Sequence, residues 1–215
     1  GTIANIKVVI GNIYWRKGLE KDSLSILHEA LASLEDIYGK EHVNLARVLN
    51  ELAFVCHLDS NYTQASVYAN RALKLFENVN EKCNLELARA YDNLAIIARE
   101  QERHNENNSI KFFKKALDIK QKYQGKDSDM ELGITLNHLG RTFYEKDNKE
   151  SSKRYYLEAK TVLERSLGEF HIVTGDLYLN LGTYYVTFHH STLDKGKKYY
   201  EKYHQAILKT FGDSH

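Results

Sequence analysis

Residues 137–159 read NHLGRTFYEKDNKESSKRYYLEA. A leucine–glycine pair, Leu139-Gly140, is followed by Phe143, a polar break at Asp147-Asn148, and then Ser152, Tyr156 and Ala159. On both sides of the break the apolar and small positions recur every three or four residues, the period of a helix with one buried face. The break carries turn residues. Gly140, Ser152 and Ala159 are small enough to let two helices approach closely, and the ring of Tyr156 fills the space beside them. The stretch predicts two helices folded back on each other.

The same pattern recurs along the chain. Pairs of an apolar residue with Gly or Ala stand at Ile10-Gly11, Leu52-Ala53, Leu94-Ala95, Leu139-Gly140 and Leu181-Gly182, with spacings of 42, 42, 45 and 42 residues. Each pair is followed by a second-helix signature: Ser23/Leu27/Ala30, Ala65/Ala69/Ala72, Ser109/Phe113/Ala116, Ser152/Tyr156/Ala159 and Gly196/Tyr200/Tyr203. Ala69 and Tyr203 depart from the small–large–small rule. Nine residues after the last marker, four units carry Gly39, Gly125, Gly168 and Gly212, where a helix can stop in a left-handed conformation; the second unit has Glu81 there and must end differently.

The expected architecture is all-α, a right-handed superhelical solenoid of five helical hairpins over residues 1–215. The units are about 1–39, 40–81, 82–125, 126–168 and 169–212. First (A) helices are predicted over 3–17, 44–58, 86–101, 131–146 and 173–188. Second (B) helices are predicted over 20–38, 62–77, 106–124, 149–167 and 194–211. Two extra residues between the helices of units three and five predict bulged turns. One hairpin cannot bury its own apolar face, so stacked hairpins share a continuous core.

Composition agrees. Apolar residues make up 42% and charged residues 27% of the 215, and proline is absent, which suits helix nearly throughout. Thirty basic and 29 acidic residues leave a net charge of +1, which argues against nucleic acid as the main ligand. Two cysteines, Cys56 and Cys83, cannot staple a fold this size and suggest a reducing, cytoplasmic setting. No apolar run is long enough for a membrane span. Gly1 stands directly before a helical pattern, which suggests a piece excised from a longer protein.

The motif Leu139-Gly140, Phe143, Ser152, Tyr156, Ala159 resembles the tetratricopeptide repeat, although the period here is nearer 42 than 34 residues. The longer period, with YGKEHVNLARVLNELA at 38–53 and MELGITLNHLG at 130–140, resembles the kinesin light chain version. LGEFHIVTGDLY at 167–178 resembles a branch of that family that binds the tail of the amyloid precursor. The resemblance implies an adaptor for protein or peptide ligands: cargo for a microtubule motor, or substrate tails for a ubiquitin ligase. The chain lacks the proline common near the connectors of that family, and it lacks heptads for pairing with a motor chain.

In such an array the A helices line a concave groove. Helical spacing from the small-residue pair points Asn5, Asn12 and Trp15 into it, then Arg47, Asn50, Phe54 and His57, then Arg89, Asp92, Ile96 and Arg99. Asn137, Arg141 and Tyr144 follow, then Asp176, Leu179, Thr183 and Val186. The candidate peptide contacts are Arg47, Asn50, Phe54, Arg89, Asp92, Arg99, Asn137, Arg141 and Tyr144. Asparagine can pair with both the N–H and C=O of an extended backbone. Arginine supplies a planar fork for carboxylates. Charge reversal at Arg89 and Arg141 is therefore expected to abolish capture of an acidic or carboxylate-bearing segment.

Other chemistries find less support. No phosphate loop, nucleophile elbow or zinc-type spacing is present, so no enzyme, cofactor or metal is expected. Cys56 falls at a position that packs inside a hairpin. Lysines 111, 114, 115, 120 and 122, and 195, 197, 198 and 202, are placed on the convex side, where RNA or an anionic membrane surface is the alternative partner. Weak self-association through an exposed end repeat is a further possibility.

Overall fold

A computed structural model describes residues 2–76, 84–101, 107–123, 128–188 and 193–212. The described residues form ten α-helices, with one 3-10 turn at Val43–Leu45 and no strand. The helices are α1 (Thr2–Arg16), α2 (Glu20–Tyr38), α3 (Ala46–Leu58), α4 (Tyr62–Lys74), α5 (Leu85–Gln101), α6 (Asn108–Lys122), α7 (Ser128–Glu145), α8 (Lys149–Leu167), α9 (Ile172–Phe188) and α10 (Leu193–Phe211). Two compact units divide them. Residues 1–123 carry the hairpins α1–α2, α3–α4 and α5–α6; residues 124–215 carry α7–α8 and α9–α10.

In the first unit each B helix packs on the next A helix, α2 on α3 and α4 on α5, and the A helices also touch in sequence. The second unit repeats this with α8 on α9 and α7 beside α9. The small–large–small signatures lie in these cores: Ser23, Leu27, Ala30, Ala65, Ala69, Ala72, Ser109, Phe113, Ala116, Ser152, Tyr156 and Ala159 are all buried. Close approach is the reason for glycine at three of the A-helix markers, Gly11, Gly140 and Gly182. A methyl group on Gly11 would sit 2.7 Å from Leu27 Cγ, and one on Gly182 would sit 2.5 Å from the Tyr200 ring.

Three hairpin turns share a device that the sequence reading did not find. Gly18, Ser60 and Asp147 adopt positive φ (71°, 58° and 55°). Around them the next backbone N–H reaches back five residues, Leu19 to Tyr14, Asn61 to Cys56 and Asn148 to Phe143, which closes the A helix in a Schellman motif. Asn61 and Asn148 then cap α4 and α8 by accepting from the N–H groups of Gln64 (3.2 Å) and Ser151 (3.0 Å).

The B-helix glycines behave partly as expected. Gly39, Gly168 and Gly212 have φ near +80°. At Gly39 and Gly168, however, ψ is 167° and 169°, an extended conformation open essentially to glycine alone and distinct from the left-handed helical one. The second helix of unit two ends at Lys74, earlier than the predicted 77; Leu75 still bonds Arg71 in helical fashion, Phe76 tightens to an i−3 bond with Leu73, and both side chains are buried. Gly125, Glu81, most of the unit-three turn and all of the unit-five turn lie outside the described residues.

Candidate peptide-binding face

The A helices of the first unit bring one set of candidates together. Their small-residue markers align Asn5 with Arg47 and Arg89, Asn12 with Phe54, and Trp15 with His57 and Arg99. Trp15 and Phe54 meet edge to face, with ring centroids 5.0 Å apart, and Phe54 leads on to His57 and Tyr62. Toward the opposite, N-terminal ends of α1 and α3, a cleft of about 380 Å³ is lined by Asn5, Tyr38, Asn44, Arg47, Asn84 and Glu86, among others. Arg47 is exposed and makes no ion pair among the described residues.

The asparagines serve the stacking of the repeats. The amide of Asn50 donates to the backbone carbonyl (2.8 Å) and side-chain carboxylate (2.9 Å) of Glu86. Its backbone carbonyl accepts from Asn93 at 3.0 Å. In the second unit Asn180 donates to the Asn137 side chain at 3.0 Å. The donors stand 43 residues after Asn50 and Asn137, one more than the repeat, and that spacing was the available signal. The side-chain carbonyls of Asn12 and Asn50 and the indole N–H of Trp15 remain buried without a hydrogen-bond partner. A buried polar atom left unpaired costs about 1–3 kcal/mol, so these three atoms tax the packing of α1 on α3.

Asn50 is 3% exposed and engaged by Glu86, and three further candidates also sit differently from the expectation of an open groove. Asp92 is buried and accepts from Lys120 at 2.5 Å, so its charge is neutralised inside the first unit. Arg99 is 6% exposed at its side chain and bonds Glu100 at 3.0 Å. Arg89 is half-buried and bonds Glu86 at 2.9 Å. Lys120 itself is 1% exposed and is withdrawn from the lysine face on which it was expected. In the second unit Arg141 pairs with Glu145 (2.8 Å), and Tyr144 bonds Thr187 (2.9 Å) and meets Phe188 edge to face.

Glu51, absent from the expected set, stands at the centre of the first unit's face. Burial raises its carboxyl above the ordinary carboxylate range. Arg89, a hydrogen bond from Asn12 and Arg47 pull the other way, while Glu86 adds to the rise. A raised folded pKa means that the folded state holds the proton longer than the unfolded chain. Stability from this group is therefore present at low pH and falls as pH rises from the ordinary range through the raised value. Glu51→Gln is expected to stabilise the first unit at neutral pH and to flatten that part of the stability–pH curve. Denaturant melts from pH 4 to 8 check it, and an unchanged slope rejects it.

Other groups on these helices are structural. Burial pushes the Cys56 thiol up to about 11, and it is a free, buried side chain with no thiolate character at neutral pH. His42 and His171 accept from the N–H groups of Asn44 and Val173 at helix starts. Among the described residues no three His, Cys, Asp or Glu side chains are grouped to hold a metal, and no helix is long and apolar enough to cross a membrane.

Comparison with known proteins places this arrangement. The Clustered mitochondria protein homolog of Candida albicans is 24% identical over 196 residues, covering 91% of this chain and 14% of that protein. Protein KINESIN LIGHT CHAIN-RELATED 3 of Arabidopsis thaliana is 25% identical over 188 residues, covering 85% of this chain and 28% of that protein. The chain thus spans well under a third of either relative. The crystal structure of BtubC (BKLC) from P. vanneervenii matches with a TM-score of 0.71 at 16% identity, over 96% of this chain and 80% of that one. These matches support kinesin light chain-like relatives and give no support to the narrower likeness to amyloid protein-binding protein 2. A family model described as Tetratricopeptide repeat matches residues 2–78, 46–106 and 86–161, and with the hairpins and their small–large packing in view, the chain belongs to the tetratricopeptide repeat family.

Proposed function

We propose that this chain is an adaptor module that holds an extended peptide against α1, α3 and α5, with a carboxylate of the peptide on Arg47. The observation that supports this reading most is the combination on those three helices. Arg47 is an exposed cation with no ion pair among the described residues, and it lines a cleft together with Asn5 of α1 and Glu86 of α5. The amide of the exposed Asn5 can pair with both the N–H and C=O of an extended peptide lying along that cleft. Phe54 offers an apolar wall. Asn137, Arg141 and Tyr144 give the second unit a comparable surface. Arg89, Asp92 and Arg99 act in this reading by holding the helices in place.

The kinesin light chain-related relative suggests cargo linkage to a motor, and a ubiquitin-ligase substrate receptor is the alternative. Both would need regions beyond these helices. A reducing, cytoplasmic setting goes with a buried free Cys56. The reading of convex lysines as an RNA or membrane surface is weakened by their partners: Lys122 bonds Asp118, Lys115 lies over Tyr91, Lys195 over Tyr185, and Lys202 bonds Glu169 and lies over Tyr178.

Arg47 is a cleaner probe than Arg89 or Arg141, because reversing either of those also breaks an ion pair to Glu86 or Glu145. Arg47→Glu is expected to weaken binding of acidic peptides on an array at least tenfold, since a charged hydrogen bond contributes roughly 1.5–3 kcal/mol. Circular dichroism should not change. Lys153→Glu, an exposed charge reversal on α8 that breaks no ion pair among the described residues, serves as the control. Equal capture by the Arg47 variant and the parent chain rejects this site.

A further inference from the structure

The outward face of α1 carries Ile3, Ile6, Val9 and Ile13, spaced three or four residues apart and 72%, 53%, 48% and 48% exposed. That is one apolar stripe of a helix with nothing packed on it. The repeat itself shows what such a stripe is for. Shifting by one 42-residue period aligns Ile3, Ile6 and Ile13 with Leu45, Val48 and Val55, each fully buried, while Val9 falls on Glu51 and so marks the margin of the stripe. Those three share a core with Leu31 and Leu34 of α2, the B helix of the preceding hairpin. A second shift reaches Ala90 and Ile97 of α5, also buried, on the helix that α4 packs against.

We infer that the Ile3/Ile6/Val9/Ile13 face is a repeat-to-repeat interface whose occupant is the B helix of a further hairpin of this type, joined to the same polypeptide ahead of α1. A second copy of this chain fits less well. Head-to-tail stacking would place α10 on the stripe, but α10 has Lys197 and His204, both exposed, where α2 has Leu24 and Leu31. Pairing of two α1 stripes would bring four apolar side chains from each copy, against the roughly 20–30 residues a side of a stable interface. A tethered hairpin needs much less surface, because its effective concentration is on the order of millimolar. The inference is independent of the peptide site.

The test grafts a register-matched hairpin, residues 43–84, directly ahead of Gly1, so that the copy of α4 meets α1 as α4 meets α5. Trp15 remains the only tryptophan, and its fluorescence reports the stability of α1. The graft is expected to raise the urea midpoint seen by Trp15. Ile6→Glu with Ile13→Glu should remove that gain in the grafted chain while leaving the midpoint of the ungrafted chain unchanged. A graft without effect, or an equal loss in both backgrounds, overturns the inference. So does a micromolar dimer of the ungrafted chain that the same double variant converts to monomer in sedimentation, which would identify a second copy as the occupant.

Discussion

Asp92→Ala is expected to cost the first unit about 3–5 kcal/mol, the loss typical when one partner of a buried ion pair is removed. The ammonium of Lys120 is 1% exposed and donates to Asp92 at 2.5 Å across the α5–α6 hairpin. Without the carboxylate, a charge stays buried with its strongest partner gone, and the penalty falls on the folded state alone. Asp92→Leu combined with Lys120→Met is expected to recover most of the loss, because a buried ion pair replaced by apolar side chains of similar volume is often neutral. Urea unfolding followed by Trp15 fluorescence measures both. A loss below about 1 kcal/mol for Asp92→Ala would mean that the ammonium is well solvated. It would also return Asp92 to the set of residues free to meet a ligand.

Gly140→Val is expected to destabilise the second unit by roughly 3 kcal/mol, at the upper end of the overpacking range. A methyl group on Gly140 would collide with the ring of Tyr156, which is 1% exposed and held edge to face against Tyr184. The ring cannot move away without disturbing the packing of α8 on α9. Unit two shows the opposite solution: there Ala53 takes the glycine position, and the large residue of the B helix is replaced by Ala69. Ala53→Gly should therefore cost only about 1 kcal/mol, the difference in helix propensity. Circular dichroism melts of the two variants give the comparison. A Gly140→Val chain as stable as the parent would show that the α7–α8 hairpin can open to admit a side chain, contrary to the close packing described here.

The sequence by itself determined the repeat, its period, ten helices and the residues that pack each hairpin. It could do so because these depend on short-range periodicity and side-chain size: a small residue under a large one, every 42 residues, leaves few alternatives. The ends of α2, α8 and α9 fall within a residue of the expected positions for the same reason, since caps and breakers are local. What a side chain does on the A helices was a different matter. Periodicity places Asn50, Asp92 and Arg99 on the helix face next to the groove, but whether they meet solvent, a ligand or another helix depends on the neighbouring repeat. Only the tertiary structure decided that Asp92 neutralises Lys120, that Asn50 and Asn137 join successive A helices, and that Glu51 is held at the centre of the face. The physical reason is that the contacts of Asn50, Asn137 and Asp92 join residues 43, 36 or 28 positions apart, where the helical period carries no information about which side chain fills the gap.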